Sequence, residues 1–352
     1  MHSGDPDYLW CYRMAFPTVV VSALIVEGVA TRVSKALFAS CTVIVCAGLV
    51  HGQNTDCLER TLIANVTERG VQPKDLTQDN FQIIYHGHHI SPHNVYYSEG
   101  PRRLMVLLDS SGSMHGTQGN PAKWKIARLT AWSVVTALQP KSKVGLMTFS
   151  TKAEIQVPLS TDREPTIAWL DREGTRRTDM LKGRTALYDA IQLGLGPLQP
   201  HEAGDAIYVI TDGGENASQI ARAKVQRALR ESGVRLFALI LPLNPPYGEE
   251  ELYGSRELVS MSHDSGGSDE SVDAVRLARE VDEELKKQLR IYSERMAQQI
   301  SGFYALSVEL PDNPQKPRHW EVAVIHSVRN RKDVWVGYPH DVLPCQSRMA
   351  RE

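Results

Sequence analysis

Apolar runs typical of buried parallel strands alternate with helical segments between residues 102 and 242. The runs are "RRLMVLLD", "KVGLMTFS", "DAIYVITDGG" and "VRLFALILP", and the segments between them include "PAKWKIARLTAWSVVTAL" and "NASQIARAKVQRALRESG". Near-continuous apolar strands are buried on both faces, which requires a layer of helices on each side of the sheet. The pattern therefore predicts an α/β fold with a doubly wound, mainly parallel sheet flanked by helices.

Small β extensions are predicted on either side of this alternating region. "RTLIANVTE" and "NFQIIYHG" precede it, and "HWEVAVIHS" and "DVWVGYP" follow it, all rich in β-branched and aromatic residues. A long amphipathic helix is predicted at about 272–300, and "NPPYGEEELYGS" before it is predicted to be a loop. We expect a small β segment at 54–100, a central domain at 101–310, and a C-terminal β section and tail at 311–352.

The N-terminal residues have the composition of a targeting segment. Arg32 and Lys35 precede the apolar run 36–50, which is the arrangement of a secretory signal cleaved near Gln53. Residues 1–53 are then an extension plus signal peptide, and the mature protein is extracytoplasmic: periplasmic, secreted or in the cell envelope. The alternatives are a membrane anchor in which this segment stays uncleaved, and a lipoprotein modified at Cys41.

The remaining composition restricts partners and redox state. A net charge of −2 gives no reason to expect binding to nucleic acid or to an anionic membrane surface. Cleavage near Gln53 leaves Cys57 and Cys345, one near each end of the mature chain. In an oxidising compartment these cysteines either form a bridge or remain two unpaired thiols, and the sequence leaves both alternatives open.

The stretch "LMVLLDSSGSMHG" places Asp109, Ser111 and Ser113 at the end of a predicted buried strand. It lacks the lysine of a phosphate-binding loop and the first glycine of a nucleophile elbow. An aspartyl-phosphate transferase would carry a second acid where Ser111 stands. Hard divalent cations, in contrast, take oxygen ligands, and ligands of open α/β sheets bind at the carboxyl ends of the strands.

Other predicted strand and helix ends supply further oxygen atoms. "GRTALYDAI" places Thr185 at the start of a helix, and "YVITDGGEN" places Asp212 at the end of another buried strand. The candidate metal ligands are therefore Asp109, Ser111, Ser113, Thr185 and Asp212. The histidine-rich stretch "HGHHISPH" is interpreted as a polar hairpin turn in preference to a transition-metal site.

These motifs, in this order and spacing, resemble the metal-ion-dependent adhesion site (MIDAS) of von Willebrand factor type A (VWA) domains. The flanks "LTQDNFQIIYHGHHI" and "ISGFYALSVELPDNP" resemble those of VWFA-related exported proteins of the acidobacterial type, so that the resemblance covers roughly 59–340. Arg184 stands where those proteins often have glycine before the threonine.

The resemblance implies a Rossmann-like fold and a role for each candidate. Ser111, Ser113 and Thr185 would bind the metal directly, whereas Asp109 and Asp212 would act mostly through bound water. The ion would be Mg²⁺, with Mn²⁺ or Ca²⁺ as alternatives, and an open coordination position would take an Asp or Glu carboxylate from a protein partner.

We therefore expect a non-enzymatic, cation-dependent adhesion or assembly module with no catalytic residues. The alternatives are a structural envelope component that does not use its metal site, and a hydrolase or transferase that uses Ser111 or Asp109. The sequence disfavours an enzyme because no histidine is placed as a general base, and His115 follows Ser113 by only two residues.

Overall fold

The structure is a computed structural model that describes residues 57–115, 122–173, 181–241, 249–277, 280, 282–325 and 334–345. The predicted signal segment, its cleavage site near Gln53 and Cys41 lie outside the described residues. Within the described ranges, none of the helices combines the length and the apolar composition needed to cross a bilayer.

The described chain contains strands and helices in the following order. The strands are β1 (Glu59–Glu68), β2 (Phe81–Tyr85), β3 (His88–Ile90), β4 (Asn94–Glu99), β5 (Arg103–Asp109), β6 (Lys143–Phe149), β7 (Ala153–Ser160), β8 (Ala206–Thr211), β9 (Arg235–Ile240), β10 (Asp269–Ser271), β11 (Gly302–Glu309), β12 (Arg318–Val324), β13 (Val334–Gly337) and β14 (Asp341–Val342). The helices are α1 (Ala122–Ala137), α2 (Glu164–Ala168), α3 (Leu187–Gly194), α4 (Arg222–Ser232), α5 (Glu249–Asp264), α6 (Ala274–Leu277) and α7 (Asp282–Ser301).

A six-stranded sheet forms the centre of the described fold, in the order β10-β9-β8-β5-β6-β7. All neighbouring strands are parallel except β7, which runs antiparallel to β6 at the edge. One face, with Leu104 and Val106 of β5, packs on α1 and α7. The other face, with Met105 and Leu107, packs on α3, α4 and α5. The predicted fold class, a mainly parallel sheet between two layers of helices, is therefore confirmed.

The segments before and after the central sheet form one β-sandwich. Its two sheets have the strand orders β13-β1-β11-β4 and β14-β12-β2-β3, and their facing side chains form a single apolar core that includes Ile83, Tyr85, Leu306 and Trp320. Strand β11 lies within the range 101–310 predicted for the central domain, but it pairs with β1 and β4 of the sandwich. The sequence had indicated two separate extensions, and strand pairing across the length of the chain joins them.

A disulfide closes the sandwich. Cys57 and Cys345 are bonded, with their Cα atoms 5.6 Å apart and 288 residues of sequence separation. Of the two alternatives left open by the sequence, the structure has the bridge. It joins the chain two residues before β1 to the chain that follows β14.

Two helix boundaries differ from the sequence-based prediction. Helix α5 begins at Glu249, within the stretch predicted to be a loop. The three consecutive glutamates at 249–251 have a high intrinsic helix propensity, which favours a helix over a loop there. Helix α4 begins at Arg222, six residues after Asn216, because the residues before it are held in a loop by hydrogen bonds to α3 and to Thr185. Its end at Gly233, in the left-handed region with φ 66°, is as predicted.

The long helix α7 ends against a buried arginine. Arg235, at the start of β9, is 0% exposed and donates hydrogen bonds to the carbonyl oxygens of Gln299, Ile300, Gly302 and Gly204. Its guanidinium also lies 5.1 Å from the ring centroid of Phe303. Because the last carbonyl groups of a helix have no partner within the helix, this side chain satisfies them where α7 passes into β11.

Candidate metal centre

The carboxylate of Asp109 is fixed at the end of β5 by hydrogen bonds to both of its oxygens. The backbone N–H of Ser111 donates to Oδ1 over 2.8 Å, and the hydroxyl of Thr211 donates to Oδ2 over 2.6 Å. Asp109 is 0% exposed. Since Thr211 ends β8, the neighbouring strand, these contacts join the ends of the two strands that carry Asp109 and Asp212.

The hydroxyl groups of Ser111 and Ser113 lie together on the loop that follows. Their Oγ atoms are 3.0 Å apart, with Ser111 buried and Ser113 exposed. Ser110, between Asp109 and Ser111, donates its hydroxyl instead to the carbonyl oxygen of Phe149 on β6. Of the three serines in this stretch, Ser110 therefore has a structural contact, whereas Ser111 and Ser113 are the two candidate ligands.

Thr185 is held beside this loop by the segment that precedes it. The backbone N–H of Gly112 donates to the carbonyl oxygen of Gly183 over 3.1 Å, and that of Lys182 donates to Ser110 O over 3.1 Å. On the other side of Thr185, its N–H donates to Asn216 Oδ1 over 2.9 Å. Thr185 is therefore positioned by contacts with both of the other loops.

Asp212 follows β8, and its two carboxylate oxygens differ in their contacts. Oδ2 accepts a hydrogen bond of 2.7 Å from Lys123 Nζ, in an ion pair whose side chains are 4% and 0% exposed. Oδ1 is buried and finds no hydrogen-bond partner in the described part of the chain. A Cβ atom at Gly214 would lie 3.9 Å from this Oδ1 and 3.5 Å from Thr185 Oγ1, so both oxygens border the same small space.

The electrostatics of the centre follow from burying two carboxylates together. Burial raises the pKa of Asp109 above its ordinary value, and the nearby charge of Asp212 raises this pKa further. A buried polar atom without a partner is costly, and so is an uncompensated carboxylate pair. Among the described residues, Lys123 alone forms an ion pair with either carboxylate, and a divalent cation would satisfy both needs.

The donor set fits a hard cation better than a transition metal. The five predicted residues offer two carboxylates and three hydroxyls, and oxygen ligands of this kind suit Mg²⁺, Mn²⁺ and Ca²⁺. In the described residues, no group of three or more His, Cys, Asp or Glu side chains is placed to hold a metal ion. This includes the histidine-rich stretch, where His89 contacts Gln82 and His86 contacts Arg318.

Lys123 is the residue of this centre that the sequence analysis missed. It lies four residues before Ala127 and eight before Ala131, both fully buried on α1, so it belongs to the buried stripe of the helix. A lysine in that stripe was the available signal, because lysine is seldom fully buried without a partner. Its partner, Asp212, is 89 residues away and could not be identified from local sequence.

The segment that carries the centre matches one known family model. Residues 104–215 match the family model of the von Willebrand factor type A domain. The match extends from β5 to the loop after β8 and includes all five candidate ligands together with Lys123. We refer to this segment below as the VWA segment.

Solved structures similar to the chain include bacterial and eukaryotic proteins. An aerotolerance-related membrane protein from Bacteroides fragilis is 21% identical, with a TM-score of 0.41 over 53% of this chain and 100% of that one. BatB from Bacteroides thetaiotaomicron is also 21% identical, with a TM-score of 0.41 over 56% and 98% of the two chains. The SpRpn10 VWA domain is 13% identical, with a TM-score of 0.38 over 49% and 88%. No curated protein sequence matches the chain.

Proposed function

We propose that the VWA segment binds a divalent cation, Mg²⁺ in preference to Mn²⁺ or Ca²⁺, and uses it to hold a carboxylate of a protein partner. The observation that carries this proposal is the buried Asp212 Oδ1, which has no partner among the described residues and borders the same space as Thr185 Oγ1. The paired hydroxyls of Ser111 and Ser113 follow the neighbouring strand β5. An adhesion or assembly module of this kind agrees with the family matched by residues 104–215.

We expect the neutral and the charged residues of the centre to have different roles. Ser111, Ser113 and Thr185 would bind the ion through hydroxyl oxygens, which leave its charge intact. Asp109, whose two oxygens are occupied by Ser111 and Thr211, supports the loop and contributes its charge from a short distance. When bound, the ion would supply an electrophilic position for an Asp or Glu carboxylate of the partner.

Lys123 sets the net charge of the centre. Two carboxylates and one ammonium carry one negative charge together, so a divalent cation leaves one positive charge in a largely buried site. A net positive centre attracts an anionic ligand, and the low dielectric of the interior strengthens this attraction. The charge balance thus supports capture of an anionic side chain.

The contacts of Ser111 support binding over catalysis. Its hydroxyl lies 3.0 Å from that of Ser113 and beside the Asp109 carboxylate, and no histidine of the described residues forms a hydrogen bond with it that would let it act as a general base. Export to an oxidising compartment is supported by the disulfide between Cys57 and Cys345. The proposed protein is therefore an extracytoplasmic binding module rather than a hydrolase or transferase.

A binding assay with an immobilised peptide tests this function. The peptide carries a single Asp in a Gly/Ser background, and the matched control carries Asn instead. We expect the full-length protein to bind the Asp peptide in Mg²⁺, to release it in EDTA, and to ignore the Asn peptide. Retention of the Asp peptide in EDTA, or equal binding by Ser111→Ala, would contradict the proposal.

Together with the peptide assay, a melting-temperature measurement and a turnover measurement distinguish the alternatives. An envelope component with an unused metal site would show a Mg²⁺-dependent rise in melting temperature but no binding to the Asp peptide. Turnover of ester or phosphate substrates by the wild type, lost in Ser111→Ala, would favour the enzyme.

A further inference from the structure

Exposed basic side chains border the candidate metal centre on the side of Thr185. Lys182 and Arg184 precede Thr185 on its own loop, and Lys152 lies on the loop between β6 and β7; we refer to these three residues as the basic rim. All three are exposed, and none forms an ion pair with a carboxylate of the described residues. Their charges are therefore available to a ligand at the centre.

The rim is fixed in place by backbone contacts. The N–H of Ala186 donates to Ser150 O over 2.8 Å, and the N–H of Arg184 donates to Thr151 Oγ1 over 3.0 Å, so the two loops are joined. The N–H of Lys182 donates to Ser110 O, within the loop of Ser111 and Ser113. The basic rim is thus held at the same edge of the sheet as the candidate ligands.

The nearby acids are occupied by backbone groups. Glu215 accepts hydrogen bonds from the N–H groups of Ala217 and Ser218, and Asp189 accepts from those of Gln219 and Ile220. These carboxylates organise the loop before α4, and neither forms an ion pair with a member of the basic rim. Glu154 is exposed on β7, two residues beyond Lys152, so Lys152 contributes less net charge than the other two members.

Arg184 is the member best placed to recognise a planar anion. Its guanidinium donates to the carbonyl oxygen of Asn216, the residue whose side chain also holds the N–H of Thr185. A guanidinium has five N–H donors, so this one contact leaves others for a carboxylate, which arginine can hold through two parallel hydrogen bonds. The contact to Asn216 fixes the guanidinium beside Thr185.

We propose that the basic rim binds a second carboxylate of the same partner, so that the preferred ligand is a segment with two acidic side chains. The first carboxylate would occupy the metal centre, as in the proposed function on which this inference rests. The second would contact Arg184 and Lys182. Without the guanidinium of Arg184, this selectivity would be lost.

The test compares peptides with one and two acids in the same Gly/Ser background. One peptide carries a single Asp, and a series adds a Glu at one to four residues after it. Exposed ion pairs contribute little each, so we expect the best two-acid peptide to bind about twofold to fivefold more tightly than the single Asp in Mg²⁺. The ratio falls towards one in 1 M salt because exposed charges are screened.

Substitutions in the rim separate its contribution from that of the metal centre. In Arg184→Ala with Lys182→Ala, we expect the preference for two acids to vanish while the Mg²⁺ affinity and the binding of the single-Asp peptide remain. Arg184→Lys keeps the charge and retains part of the preference. Lys143→Ala is the matched control, since Lys143 is exposed at the opposite end of β6, and it should retain the full preference.

Each result has a definite meaning. Equal affinity of the wild type for one-acid and two-acid peptides, with both dependent on Mg²⁺, overturns the second carboxylate site and leaves the proposed function intact. A preference that survives in the double variant also overturns the role of the rim. No Mg²⁺-dependent binding of any peptide overturns the proposed function and this inference with it.

Discussion

A single buried ion pair determines how the candidate centre behaves without a cation. Lys123 neutralises one of two buried carboxylates, and it does so from the first turn of α1, outside the motifs that define the site. Breaking a buried pair leaves an uncompensated charge, which is more costly than replacing both members. Lys123 therefore links the stability of the metal-free protein to the charge of the centre.

Replacement of Lys123 by Met should increase the dependence of the protein on metal. We expect the metal-free variant to lose roughly 3–5 kcal/mol of unfolding free energy, as for other broken buried pairs. Addition of Mg²⁺ should raise its melting temperature by more than it raises that of the wild type. Lys224→Met, an exposed site on α4, is the control and should leave both quantities unchanged. A Mg²⁺-induced shift no larger than that of the wild type would argue against this role.

Glu270 on β10 makes stability depend on pH. Burial raises the pKa of its carboxyl to about 7, with a smaller contribution from Asp269, against the lowering effect of Arg295. Between pH 4.5 and 7 the unfolded chain loses this proton while the folded chain keeps it, so this group makes the folded state less stable as the pH rises.

Glu270→Gln should therefore raise the melting temperature at pH 7.5 and have no effect near pH 4. The gain corresponds to at most about 3 kcal/mol, because one pKa unit is equivalent to about 1.4 kcal/mol. Thermal denaturation monitored by circular dichroism across this pH range is the measurement. Glu231→Gln, at an exposed site, should show no such pH-dependent gain. Equal effects of the two substitutions at pH 7.5 would exclude the linkage.

At the scale of the element, the sequence predicted individual strands and helices but not their pairing across the chain. Strands β5, β6, β8 and β9 were evident because their apolar runs are local patterns. The five candidate ligands could be proposed for the same reason, because each was expected to follow a strand or to begin a helix. The sandwich could not be predicted. Its strands β1 and β11 are more than 200 residues apart in sequence, and local patterns do not indicate which distant strands pair.

The junction between α7 and β11 depends on Arg235. The contacts of Arg235 with the end of α7 could not be predicted from the local sequence either. Burial lowers the pKa of its guanidinium to about 9, so the protein retains a cation in the core at a cost that its hydrogen bonds to helix-end carbonyl groups offset. The charge has no carboxylate in contact with it among the described residues. Its role is to complete the end of α7.

Arg235→Met should destabilise the fold by roughly 2–5 kcal/mol, because it leaves several buried carbonyl groups without donors. Urea denaturation gives the free energy of unfolding directly. Arg227→Met, at an exposed position on α4, is expected to change it by less than about 0.5 kcal/mol. A loss for Arg235→Met no greater than that for Arg227→Met would show that those carbonyl groups find other partners.

At the scale of the whole molecule, the sandwich and its disulfide hold the two ends of the described chain together. The bridge spans 288 residues, so it restricts the unfolded chain strongly. The central sheet lies in sequence between the two halves of the sandwich. Opening the bridge therefore increases the conformational freedom of the unfolded chain, and it removes none of the observed contacts of the candidate metal ligands.

Removal of the bridge should lower stability and leave metal binding intact. We expect Cys57→Ser with Cys345→Ser to lose roughly 2–5 kcal/mol of unfolding free energy, and the wild type to lose the same amount in reducing agent. The double variant should be insensitive to reducing agent, which serves as the control. A wild type whose urea midpoint does not change on reduction would contradict the contribution of the bridge.

The central claim is that Asp109, Ser111, Ser113, Thr185 and Asp212 form one divalent-cation site. Isothermal titration of Mg²⁺ into the full-length protein, stripped of metal with EDTA and dialysed, tests it most directly. We expect one site per chain in the wild type and in Ser110→Ala, whose hydroxyl contacts Phe149 instead of the centre, and no binding in Ser111→Ala with Asp212→Ala. A wild type that binds no Mg²⁺, or a double variant that binds it as the wild type does, would contradict the account.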